Sequence, residues 1–213
     1  MSNTFDMKQK KKWVNRMPPS NDHQLDKVHD KRRAQIKNAA LKVFARRGFI
    51  GTKMSMIAKE ADISQGLSYR YYQSKDELFI ELVKDAMEET AEAYASLANL
   101  AGSPSGKIKE LTKRMLHTSN RHSFMLIQQV QISDVVPDKA KEIVQQYPSP
   151  TLNEQLISIF KNGQETGDFC KGDSTKLLML YFSVISGLML LPNEDEKNNQ
   201  FIDIDILMKL LCK

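Results

Sequence analysis

The residues best placed to do chemistry in this chain sit around one three-residue turn, and their types suit recognition of a polyanion rather than bond-making. Asp62-Ile63-Ser64 separates two short helical patterns. The first follows Thr52 and carries Met54, Ile57, Ala58 and Ala61 on one face; the second covers about residues 65–71, with Ser64 as a good N-cap. Two short helices joined by such a turn can set the second in the major groove of a duplex while the first braces it across the backbone. Ile63 is then the apolar plug between them. Generic helical pairs share this spacing, so the pattern alone leaves duplex reading and plain packing both open.

Other chemistries find little support. The sequence has no phosphate-binding glycine loop, no nucleophile elbow and no paired carboxylates at convincing spacing, so an enzyme is not expected. His117 and His122 are poorly spaced for one helix face, and no carboxylate or thiol completes a metal set, so neither metal nor cofactor is expected. Cys170 and Cys212 make no disulfide framework and read most simply as reduced thiols. No stretch is long and apolar enough to span a bilayer, and the N-terminus lacks the apolar segment of a signal peptide; the expected location is the cytoplasm, with no membrane partner.

The elements that must position the turn are helical throughout. The chain has 213 residues, 41% of them hydrophobic, enough for a packed core. Net charge is +5, but residues 1–47 hold 13 Lys and Arg against 4 Asp and Glu, and the remainder is net acidic. A basic front suits nucleic acid, although a solvated basic tail reads the same way. Residues 1–29, with Lys10-Lys11-Lys12-Trp13 and Pro18-Pro19, read as a flexible basic arm that adds phosphate contacts or serves merely as a tail.

From there Ile36, Ala39, Ala40, Val43 and Phe44 mark an amphipathic helix that Asp30 would cap and Gly48 would end. Ser74-Lys75-Asp76-Glu77 is a capping box opening a longer helix to about Leu100. Ala101-Gly102-Ser103-Pro104 breaks the chain. Helical patterns then cover Lys107 to His117, Phe124 to Ser133, a stretch from Pro137 to before Pro148, Thr151 to Gly167, Asp173 to Leu191 and Phe201 to Leu211. Leu177 to Leu191 is so apolar that burial on most faces is expected. No β alternation, repeat or sustained heptad is present, and the fold class is all-α.

One ungapped register carries more information than the periodicity. Arg46-Arg47-Gly48-Phe49, Thr52, Ile57-Ala58, Ala61, Ile63-Ser64, Gly66, Tyr69, Tyr71-Tyr72 and Ser74-Lys75-Asp76-Glu77-Leu78 together resemble the DNA-binding region of the TetR family of repressors, over about residues 33–82. The resemblance implies a homodimer with an N-terminal three-helix helix-turn-helix domain (residues 30–76) and a C-terminal helical ligand-binding and dimerisation domain (77–213). It further implies DNA contacts by Thr52, Lys53, Ser64, Gln65, Gly66, Leu67, Tyr69, Arg70, Tyr71 and Lys75. Thr52 and Lys53 would hold a phosphate at a helix start, Gln65 would read a base edge, and Lys75 would meet the backbone. Each has a plainer alternative: Thr52 as a cap, Tyr69 or Tyr71 as packing, Arg70 as a solvated charge. The register departs from the family at Leu67-Ser68, which turns Ser68 to the core, where it needs a partner such as its own i−4 carbonyl, and Leu67 to the DNA; a slight rotation of the helix is the other option.

After Leu82 the resemblance weakens to Ile159-Phe160 with Gly163-Gln164-Glu165 and Gly167-Asp168-Phe169, and to the long apolar helix through Gly187. Dimer contacts are expected at Leu180, Val184, Gly187, Leu188, Ile206 and Leu210, unless that helix is simply core. A largely apolar inducer would be lined by Met115, Phe124, Met125, Gln128 and Phe160, residues that serve equally as core. The function expected is a ligand-responsive repressor on palindromic operator DNA. A TetR-like factor for chromosome organisation or cell division, without an inducer, is the alternative, and a dimeric interaction module the third.

Overall fold

The computed structural model describes residues 22–97, 99–147, 153–191 and 203–212. They form α1 (Asp22–Gly51), α2 (Met54–Glu60), α3 (Gln65–Tyr71), α4 (Lys75–Leu97), α5 (Pro104–Met115), α6 (Thr118–Ile132), α7 (Asp138–Gln145), α8 (Glu154–Thr166), α9 (Ser174–Leu190) and α10 (Ile204–Met208), with no strand among the described residues. The protein is all-α, as expected.

Helix α1 starts earlier than the apolar pattern suggests. It runs from Asp22, so Asp30 lies inside it instead of capping it, and residues 22–29 of the expected arm are helical. Periodicity reports a buried face, and this first stretch is polar; Gln24, Leu25, Lys27, Lys31, Arg32 and Arg33 are nonetheless good helix formers, with no Pro or Gly to stop them. The basic run near Trp13 lies outside the described residues. At Gly48 the helix breaks (φ 71°, ψ 172°), a conformation that glycine adopts without a Cβ penalty.

Two cores meet along α4. The first joins Ile36, Val43, Phe44 and Phe49 of α1, Ile57 of α2, Tyr72, and Leu78, Phe79 and Val83 of α4 with Leu126 and Val130 of α6 and Ile143 of α7. The Phe79 ring stands edge-on to Phe44 and Phe49, each 5.0 Å away, the favoured aromatic geometry. The headpiece therefore shares its core with the middle of the C-terminal half. The second core takes Tyr94 and Leu97 from the end of α4, with Ile108, Leu111, Phe160, Phe169, Tyr181, Ile185 and Met208. Its buried polar pair is satisfied, with the hydroxyls of Thr112 and Tyr181 2.8 Å apart.

Helix α9 corrects one expectation. One face is buried (Leu178, Tyr181, Phe182, Ile185, Met189), but Met179, Leu180, Leu190 and the following Leu191 are exposed. A helix apolar all round needs two partners, and this chain supplies one. Helix α10 is also shorter than the Phe201-to-Leu211 pattern, and Ile206 and Leu210 are exposed with that face.

Candidate nucleic-acid interface

Helix α3 is short because both its ends are chemically fixed. Ser64 caps it, its hydroxyl accepting the Leu67 N–H at 3.2 Å. Asp62 bends the chain into the turn at φ 51°, a left-handed conformation that Asp tolerates better than most residues. Ile63 is half-buried against the first core, as a plug should be. Ser68 is the buried residue of the helix, and its hydroxyl donates to the Gln65 carbonyl at 2.7 Å. The polar group facing the core is thus satisfied within α3, through i−3 and not the i−4 carbonyl expected.

That anchoring leaves Gln65, Gly66, Tyr69 and Arg70 exposed and Leu67 half-buried. A Cβ at Gly66 would meet nothing within 4 Å, so the space in front of α3 is open. Tyr71 is half-buried with its ring centroid 4.7 Å from that of His29 on α1, which gives it a packing role. Arg46, Arg47, Lys53, Lys59 and Arg70 add exposed positive charge to the headpiece.

Two residues expected on phosphate are turned inward instead. Thr52 is 1% exposed and its hydroxyl donates to Gly48 O at 2.7 Å. It does not cap α2 either, since Lys53 stands at that position without a side-chain cap. Lys75 points its ammonium at Phe49 O (2.9 Å) and Thr52 O (3.4 Å), 4.2 Å from the centre of the Phe49 ring. The reason is the break at Gly48. It strands carbonyls at the end of α1, and these donors take them.

The same logic recruits residues that the sequence reading passed over. Gln35 donates to Ala61 O at 2.5 Å, tying α1 to the end of α2. Gln129 of α6 donates to Phe44 O at 2.8 Å, a direct tie from the C-terminal half to α1, while its Oε1 is buried with no partner among the described residues. A glutamine on an otherwise apolar helix face was the signal available.

An ionic network fixes α1 to α4. Arg33 grips Glu81 with two bonds (3.2 and 2.5 Å), and its guanidinium lies 5.2 Å from the centre of the Tyr72 ring. Lys37 bridges Glu81 at 3.2 Å and also pairs with Asp85. Burial pushes the Glu81 carboxyl up, but the bonds and charges of Arg33 and Lys37 outweigh it and hold it below its ordinary value. Tyr72, at the end of α3, is pushed above the ordinary tyrosine range by burial and then by the Glu81 charge. Because Glu81 is lowered on folding, its contribution is complete above the ordinary carboxyl value of 4.5 and drains as pH falls through the lower folded value. Glu81→Gln should therefore flatten the acid limb of the stability profile, read from urea unfolding between pH 3 and pH 6, about the range in which carboxyls titrate. An acid limb identical to the parent's would remove Glu81 from this role.

The expected pocket residues do not converge. Phe160 is fully buried, stacked on Phe169 with centroids 4.6 Å apart, and is core. Met115 and Phe124 pack against the same core, and Gln128 bonds Gln131 at 3.0 Å. A cleft of about 300 Å³ opens elsewhere, between α1, α4 and Ser123, lined by Arg33, Lys37, Asp85 and Glu89 among others; none of Met115, Phe124, Met125, Gln128 or Phe160 borders it. Of the expected dimer residues, Leu180, Gly187, Ile206 and Leu210 are exposed, and Val184 and Leu188 are half-buried.

Together these features define a class: an all-helical protein whose N-terminal helix-turn-helix stands on a larger helical body. Residues 36–82 match the model of the bacterial regulatory proteins of the tetR family, and that match covers the helix-turn-helix just described. The chain is similar to the HTH-type transcriptional regulator HbdR of Aromatoleum sp. (strain CIB), 37% identical over 62 residues, 29% of this chain and 27% of that protein. The fatty acid metabolism regulator protein of Bacillus subtilis (strain 168) is 25% identical over 147 residues, 67% of this chain and 73% of that protein. The match to HbdR thus spans about a quarter of that regulator's length. The solved ketosteroid transcriptional regulator KstR2 of Mycobacterium tuberculosis shares the fold, with a TM-score of 0.63 at 18% identity, covering 85% of this chain and 95% of its own.

Proposed function

We propose that this regulator is a ligand-responsive repressor that binds a near-palindromic operator as a homodimer and releases it when a largely apolar small molecule enters the C-terminal half. The observation that carries the DNA reading is α3. Its buried residue, Ser68, turns Gln65, Gly66, Tyr69 and Arg70 outward from a braced three-helix headpiece. The uncovered apolar face of α9 and α10 supports a second copy. No helix among the described residues is long and apolar enough to cross a membrane.

Selection of bound DNA from a random library tests the proposal. Two half-sites related by a dyad are expected, with affinity falling steeply as salt rises. Gln65→Ala should relax preference at one base position per half-site, worth about 1–3 kcal/mol if the amide pairs bidentately with adenine. Lys75→Ala should weaken binding alike on all sequences, because it frees the end of α1 that aims the headpiece. Unchanged preference in the first variant, or unchanged affinity in the second, would sink these roles.

Compounds are then screened for release of the selected DNA, fatty acids first, because one relative is named a regulator of fatty acid metabolism. A hundredfold release requires about 2.7 kcal/mol of coupling. The alternative, a chromosomal factor with no inducer, is favoured by the one finding that Phe160 and its expected pocket neighbours do not border the cleft. Many selected sites and no releasing compound would decide for it.

A further inference from the structure

We propose that Cys170 and Cys212 form a thiol-oxidation site, closing reversibly into an intramolecular disulfide under a peroxide. The two residues are distant in sequence but held together by backbone. The Cys170 N–H donates to Leu211 O at 2.8 Å, and the Cys212 N–H to Met208 O at 3.0 Å. With standard bond lengths, the first of these bonds keeps the two Cα atoms within about 6.5 Å. That lies inside the roughly 4.4–6.8 Å that disulfides span.

The Cys170 backbone is also fixed from its other side. Gln164 donates to Cys170 O at 2.8 Å and to Gly172 O at 3.1 Å, while its own oxygen accepts the Ser174 hydroxyl at 2.8 Å. The backbone at both attachment points is therefore held in place by hydrogen bonds. Both thiols are free and half-buried, so a small oxidant can reach them. Burial pushes the Cys212 thiol up, and the nearby Asp168 and Cys170 add to the effect, in keeping with the closeness of the two cysteines.

The chemistry balances with the peroxide named. The Cys170 sulfur attacks one peroxide oxygen, the O–O bond breaks, and a sulfenic acid and one water result. The Cys212 sulfur then attacks the sulfenic sulfur; the S–S bond forms, the S–O bond breaks, and the departing hydroxide takes the Cys212 proton as a second water. Two thiols lose two electrons and two protons, and a dithiol reductant reverses the step. The link would pin the segment that follows α10 to the loop between α8 and α9, and would restrain α9 and α10 inside one closed loop. It stands independently of what α3 binds.

The test treats the full-length protein with hydrogen peroxide and maps non-reduced peptides by mass spectrometry. The expected result is a Cys170–Cys212 cross-linked peptide, 2 Da lighter than its parts combined, lost on dithiothreitol. A rise of several degrees in unfolding midpoint should accompany it and be absent in Cys170→Ser and Cys212→Ser. Cross-links between two copies, or sulfinic acid at either residue without the internal link, would overturn the proposal.

Discussion

Gly163→Ala is expected to cost about 3 kcal/mol of stability, the upper end of what an extra core methyl does to a well-packed site. A Cβ at Gly163 would lie 2.3 Å and 2.5 Å from two Phe169 ring carbons and 3.0 Å from the Pro104 side chain. The ring cannot simply retreat. It is fully buried and stacked on Phe160, and the Phe169 N–H is bonded to Gly163 O at 3.0 Å. Urea midpoints measure the effect, and Gly163→Ala with Phe169→Leu should recover part of it by making room. Gly66→Ala is the control, because nothing lies near its Cβ and its place in α3 favours alanine by about 1 kcal/mol. That variant should hold or gain stability while weakening DNA binding. Equal midpoints for Gly163→Ala and the parent would mean that α8 and the Phe169 loop do not pack as described.

Leu180→Asp should give a monomer that folds normally and binds operator orders of magnitude more weakly. Leu180 is 57% exposed in the single chain, so the aspartate costs the protomer little. It would sit in the proposed interface, on the same face of α9 as Gly187 two turns on, where an unpaired buried carboxylate is expensive. Losing the dimer removes the simultaneous grip on two half-sites, which multiplies affinity by about 10² to 10⁴. Sedimentation velocity and operator titration read the two effects together. A variant that stays dimeric would move the interface elsewhere. A monomer with parental operator affinity would instead detach dimerisation from DNA binding.

Much of the reading unit was legible because its signals are local. The turn at Asp62-Ile63-Ser64, the cap at Ser64 and the core-facing Ser68 each depend on neighbours within a few residues and appear in the structure; at Ser74 the hydroxyl accepts the Glu77 N–H at 3.1 Å, while the Glu77 carboxylate reaches the Gln73 N–H at 2.7 Å, one residue before the cap. What was less legible depends on the path of the chain after Gly48. Thr52 and Lys75 resemble phosphate ligands in sequence, and only the three-dimensional path of the chain past Gly48 shows which carbonyls they serve. Phe160 carries the right type for a pocket wall, but type cannot say that Phe169 lies on top of it. The first turns of α1 were missed because a solvated helix leaves no apolar stripe.

The Gln129 amide has one hand occupied and one empty. Its nitrogen holds the Phe44 carbonyl at 2.8 Å, and its buried oxygen meets no donor among the described residues. The joint between body and headpiece therefore includes a direct bond from α6 to α1. A displacement of α6 would pull on the far end of α1 through that bond. In such a mount the body reaches the headpiece along two routes, one through α4 and one directly from α6 to α1.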